Sequence, residues 1–266
     1  MVDRRKLSAA LRSPKRCRGI GVPVVLDIAA EFLWAGRQTV VFQNVAGEVM
    51  GMFTDSLVTD SAVSVRQAVA GIMRKYTNYT NFELQLHTQY IRGSDMHRNT
   101  FLSRVDEVIG VNVSDLLRDR STDMVVRNRI RAGLGLVKKL DRFTVNKITE
   151  VILKGIKSGE GIDIEGMFTA RHITENRARF IARDQMGKLF SNLSQARQED
   201  IGVTKYRWST ARDSRVRSRH AAREGKTYYW KRPPDGGHPG FDINCRCVAE
   251  PDLMSSPIVQ ELREAA

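Results

Sequence analysis

Between Val24 and about Ser158, apolar residues recur every three or four positions, the spacing of amphipathic helices. Proline is absent from position 24 to 232, which disfavours a run of short strands joined by turns. Breaks are predicted at Thr77-Asn78, Gly93-Ser94, Gly110 and Gly133. Within Phe143 to Ile156, Val145, Ile148, Ile152 and Ile156 share one face, and the pattern stops at Ser158-Gly159. Such stripes read as packing between helices rather than as a cofactor groove.

The glycines of GEGIDIEG (159–166) fit neither a P-loop nor a dinucleotide fingerprint, so the segment reads as a helix connection. A long helix is predicted from about Arg171 to Asp200. Its apolar stripe is Ala178, Ala182, Met186, Leu189, Leu193 and Ala196. Arg177, Arg179, Arg183 and Arg197 fall elsewhere on the cylinder, where solvent or a partner would meet them.

After Gly202 the period changes from helical to alternating. KYRWS places Tyr206 and Trp208 on one side of a strand, and KTYYWK does the same with Tyr228 and Trp230. Between them, Thr210 and Asp213 stand in capping-box positions for a short helix that Gly225 would end. One more short strand is predicted after Cys247. The fold class is therefore α+β, mostly α: a helical N-terminal region, then a long helix packed on a small C-terminal β-sheet with one short helix. The expected divisions are a basic flexible arm (1–20), a helical region (21–140), a C-terminal domain (141–254) and a tail (255–266).

Charge changes the picture. The chain carries 43 Lys and Arg against 30 Asp and Glu, a net +13. Residues 1–20 hold Arg4, Arg5, Lys6, Arg12, Lys15, Arg16 and Arg18 against Asp3. From Arg171 to Arg232 there are 16 basic and 6 acidic residues, so the remainder of the chain is slightly acidic. Basic charge placed in this way suits a polyanionic partner, and DNA contact would be sequence-nonspecific and salt-sensitive.

Three cysteines, Cys17, Cys245 and Cys247, are too few for a disulfide scaffold and fit a reducing compartment. Asp27 and Glu31 interrupt the only early apolar run, so neither a signal peptide nor a membrane span is expected.

The candidate chemistry lies near the end of the chain. Asp213, Arg217 and His220 fall at i, i+4 and i+7 on the predicted short helix, where Asp213 and Arg217 would form an ion bridge. This face reads either as a network pinning the loop HPGFDINCRCVAEP (238–251) to the helix, or as an acid–base group. His220, His238, Cys245 and Cys247 are four donors of the kind zinc takes. A one-residue gap in an extended chain points both sulfurs the same way, which strains a disulfide between them. Free packed thiols and structural zinc remain the alternatives. No nucleophile elbow, Walker sequence or HExxH motif occurs. A metal nuclease using Asp213, His220 and His238 would have only one carboxylate.

Three stretches carry a family resemblance: ARFIARDQ (178–185), GVTKYRWSTARDSRVRSRH (202–220) and HPGFDINCRCVAEP. Together they resemble the phage head morphogenesis, or minor head protein, family typified by the F protein of phage Mu. The resemblance spans about Phe143 to Pro251. Its motif positions here are Trp208, Asp213, Arg217, His220, Pro239, Asn244, Cys245 and Cys247.

The resemblance implies a minor structural protein of a tailed-phage head, present in few copies and associated with the portal vertex during procapsid assembly. It would be located in the virion head near the portal, and in the host bacterial cytoplasm during assembly. Implied partners are the portal protein, other head proteins and DNA, with Arg179, Arg183 and the arm as contacts. No enzymatic activity and no cofactor are expected, structural zinc aside. The competing readings are a metal-dependent nuclease and a zinc-stabilised nucleic-acid-binding module.

Overall fold

The computed structural model describes residues 19–55, 62–158 and 162–265. The helices are α1 (Val24–Asp55), α2 (Ala62–Tyr76), α3 (Tyr79–Ile109), α4 (Asp119–Ser158), α5 (Ile164–Asp200), α6 (Ser218–Ala221) and α7 (Pro257–Ala265). The strands are β1 (Lys205–Ser209), β2 (Thr227–Tyr229) and β3 (Val248–Pro251). The architecture is mostly-α α+β, as the period change at Gly202 predicts. Among the described residues, no helix is long and apolar enough to cross a membrane.

Contacts divide the chain into two compact units, and α3, α4 and α5 contribute residues to both. One unit comprises Val24–Leu86 and Ile130–Arg183. Its core joins Val41, Phe42 and Val45 of α1 to Val69 and Ile72 of α2 and to Ile148 and Ile152 of α4. A polar cluster lies in the same unit. Arg37 holds Asp141 through two 2.8 Å hydrogen bonds, and Tyr79 donates to the same carboxylate at 2.9 Å. Such two-pronged pairing fixes geometry as well as charge.

The other unit comprises the described residues of Met1–Pro23, His87–Arg129 and Asp184–Ala266. Its sheet is antiparallel in the order β2-β1-β3, with Tyr206 opposite Tyr228 and Trp208 opposite Ala249. The alternation predicted for KYRWS holds: Tyr206 and Trp208 are buried and their neighbours are half-exposed. Gln198 ties α5 to the sheet. Its amide donates to Ala249 O, and its carbonyl accepts from the Trp230 indole, both at 3.1 Å.

Several expectations about boundaries change. Thr77-Asn78 and Gly110 do separate elements, and Gly110 has the positive φ of +69° that ends a helix. Gly93 and Gly133 instead lie inside α3 and α4. At Gly93 an added Cβ would stand 3.4 Å from Leu189 and 3.5 Å from Phe190, ordinary van der Waals contact, so this glycine lies on the packed face of α3 and ends no helix. Helix α5 starts at Ile164 rather than near Arg171, because the Asp163 carboxylate accepts the Gly166 N–H at 2.7 Å and caps it. It ends in a Schellman turn at Gly202, with Val203 N–H on Gln198 O at 2.8 Å and Gly202 N–H on Glu199 O at 3.0 Å.

Position 141, the expected start of the C-terminal domain, is interior to α4. The segment read as a tail contains α7, whose Val259 is buried. Ser256 caps that helix by accepting the Val259 N–H, and Pro257 occupies its first turn. Residues 1–18 of the basic arm, including Arg4, Arg5, Lys6, Arg12, Lys15, Arg16 and Arg18, lie outside the described residues. Its last two residues are held in place: Ile20 is buried, and Gly19 accepts a hydrogen bond from Arg104 at 2.6 Å.

Candidate functional site

The short helix is one turn long and starts after Arg217, later than the Thr210 cap predicts. Asp213 is spent on a turn of its own, where its carboxylate accepts the Arg215 N–H at 3.1 Å. The predicted Asp213–Arg217 bridge is therefore replaced. Asp213 pairs with Arg246 through two 2.6 Å bonds, which hold its carboxyl down to about 2. Arg217 donates to Ile243 O at 2.7 Å, and Arg219 pairs with Asp242. The segment from Asp213 to Arg219 is thus fastened to residues 242–246 by these three pairings.

The loop is fastened equally to α5. Ser191 Oγ donates to Pro239 O. Gly240 follows at φ +87°, and a Cβ there would come within 2.5 Å of Ser191 Cβ. Asn244 also has positive φ, at +51°. Its N–H donates to Asp184 Oδ1 at 2.9 Å, while Lys188 holds Asp184 Oδ2 at 2.6 Å. Pro239 and Asn244 therefore shape a loop that must lie against one helix and one helical turn together.

Cys245 and Cys247 come just before β3, in irregular chain after a turn. Both thiols are free and buried. Their sulfurs face the same way: each lies 3.5 Å from His220 Nδ1. On the far side of the ring, His220 Nε2 lies 2.9 Å from Asp242 Oδ2. An ionised carboxylate only accepts, so Nε2 carries a proton, and Nδ1 is the ring nitrogen that faces the sulfurs.

Asp242 stays well ionised. Burial pushes its pKa up, but the hydrogen bonds from Arg219 and His220 outweigh that and lower it. The hydrogen bond from Cys247 draws the Cys245 thiol below its ordinary range, against the effect of burial. Cys247 is pushed up by giving that bond and by burial. Trp208 closes the cluster, its ring 5.2 Å from that of His220. Its indole N–H is directed to the Cys247 sulfur and opposes the rise in that thiol's pKa.

The four predicted donors divide. His220, Cys245 and Cys247 bring donor atoms within 4.8 Å of one another. His238 joins an aromatic cluster instead. Its Nδ1 pairs with the Tyr206 hydroxyl at 2.8 Å, and its ring lies 4.8 Å from that of Trp230. Burial lowers its pKa, which favours the neutral ring. Nor do Asp213, His220 and His238 converge as a nuclease would need: the first is bound by Arg246, the second by Asp242 and the third by Tyr206.

Among the arginines of α5, Arg177 lies over the Phe143 ring, Arg179 pairs with Asn176, and exposed Arg183 reaches Glu31 at 3.4 Å. Arg197 departs from the solvent-facing expectation. It is buried, donating to His97 Nδ1 at 2.7 Å and to Ser94 O at 2.9 Å. Asp184, Ser191 and Asp242 were not singled out from sequence. Asp242 offered a signal, because it stands inside the same loop two residues before Asn244.

Comparison with known proteins adds two matches. Residues 146–250 match the family described as phage Mu protein F like protein. An uncharacterized protein of Haemophilus influenzae is 31% identical over 223 residues, covering 79% of this chain and 50% of the relative. The chain thus spans about half the length of that curated relative. No solved structure matches.

Proposed function

We infer, from the match of residues 146–250 to the phage Mu protein F like family, that the chain is a minor head protein of a tailed bacteriophage. In this reading it acts in head morphogenesis at the portal vertex and meets DNA there without reading its sequence. The family match carries the inference. The contacts that fasten the signature loop support it, because they give these motif residues structural roles. Asp213 binds Arg246, Arg217 binds Ile243 O, and Asn244 binds Asp184.

The charge distribution also supports the reading. Arg207, Arg212 and Arg219 are each paired with a carboxylate of the C-terminal unit. Polyanion contact then falls to the arm and to exposed positions such as Lys231 and Arg232, which form no ion pair among the described residues. Quantitative mass spectrometry of purified heads from the encoding phage tests the assignment. The chain is expected at low copy relative to the major capsid protein. Its absence from heads at every assembly stage contradicts the assignment.

A further inference from the structure

We propose that His220, Cys245 and Cys247 form a zinc site that clamps the 238–251 loop to the short helix. The proposal does not depend on the head-protein reading. Zinc binds sulfur at about 2.3 Å and imidazole nitrogen at about 2.0 Å in a tetrahedron, so sulfur and nitrogen donors on one ion stand about 3.5 Å apart. That is the distance from His220 Nδ1 to each of the two sulfurs.

The orientation of the ring agrees. A metal-bound imidazole typically donates its other N–H to a carboxylate, which fixes the tautomer and strengthens the donor nitrogen. Asp242 stands in that place, 2.9 Å from His220 Nε2. The sulfurs are also provided for. Gly240 N–H points at Cys245 Sγ from 3.4 Å, and the indole N–H of Trp208 belongs to the same buried cluster as Cys247. Metal-bound thiolates are strong acceptors, and N–H donors around them stabilise the charge.

Two thiolates and one imidazole select zinc over harder cations such as magnesium and calcium. The fourth position of the tetrahedron is left to water or to a donor from a partner. The ligands come from two segments that pack side by side, so the ion would cross-link α6 to the chain entering β3.

The test uses the full chain, purified under reducing conditions without an affinity tag that binds metal. Elemental analysis after dialysis into metal-free buffer is expected to find about one zinc per chain. Cys245→Ser, Cys247→Ser and His220→Gln should each lower occupancy at least about tenfold, and His172→Gln should not. Because a variant could fail to fold, the wild-type chain freed of metal is also titrated with cobalt(II). A sulfur-to-cobalt charge-transfer band with tetrahedral ligand-field absorption supports the site. Wild-type protein that carries no zinc and develops no such band overturns it, as does zinc retained by folded cysteine variants.

Discussion

His220 Nε2 sits 2.9 Å from Asp242 Oδ2, and this contact sets which ring nitrogen faces the two cysteines. Asp242 also accepts from Arg219. Removing the carboxylate leaves the buried His220 N–H without its acceptor. Asp242→Ala is expected to lower unfolding free energy by about 1–3 kcal/mol. Urea denaturation in metal-free buffer measures this, with exposed Asp235→Ala as the control that should change little.

Gly240 makes a sharper prediction, because two effects act together. Its φ of +87° disfavours any side chain, and a Cβ would meet Ser191 Cβ at 2.5 Å. Left-handed backbone strain costs about 1–2 kcal/mol and overpacking about 1–3 kcal/mol. Gly240→Ala should therefore destabilise the C-terminal unit by at least about 2 kcal/mol. Gly225→Ala isolates the first effect, because its φ is +74° and its Cβ position faces open space. Equal losses in the two variants would show that the contact with Ser191 is unimportant.

Asp27 predicts a pH dependence. Burial, with Glu31 nearby, raises its carboxyl to about 6, although Arg183 opposes the shift. A carboxyl raised on folding favours the folded state only while protonated. Its contribution is present below its ordinary value of 3.8 and is lost as pH rises through about 6. Asp27→Asn should then stabilise the chain at pH 7.5 and have little effect at pH 4. Thermal melts of both proteins across this range would refute the assignment if the difference were independent of pH.

The expected DNA contact is electrostatic. Filter binding should show affinity that is indifferent to sequence and falls steeply with salt. Replacing Arg4, Arg5, Lys6, Arg12, Lys15, Arg16 and Arg18 by Gln should flatten the salt dependence. Failure to bind duplex DNA at low salt would remove DNA from the account.

Much of the fold was legible because period is a strong signal. The alternation around Tyr206 and Trp208 located β1, and the stripe through Met186 and Leu189 located the buried face of α5. Gly93 misled because a glycine on a packed helix face looks, in sequence, like one that ends a helix. Arg197 misled for a related reason. An arginine off the apolar stripe normally faces water, and only the fold brings Ser94 and His97 to pair with it.

The site was legible as a set of residues but not as a set of pairs. Asp213 was matched to Arg217 by helical spacing, whereas its partner Arg246 lies 33 residues away. His238 looked equal to His220 as a ligand. Tyr206, buried and needing a hydrogen-bond partner, takes it instead. Long-range pairing of this kind follows from topology, which local spacing does not encode.

Association with the portal tests the central claim most directly. The chain and the portal protein of the same phage are co-expressed and separated by size-exclusion chromatography, with the major capsid protein as the comparison partner. The account predicts that the chain co-elutes with the portal oligomer and not with the capsid protein. A folded chain that elutes alone in the presence of assembled portal, at micromolar concentration and moderate salt, contradicts it.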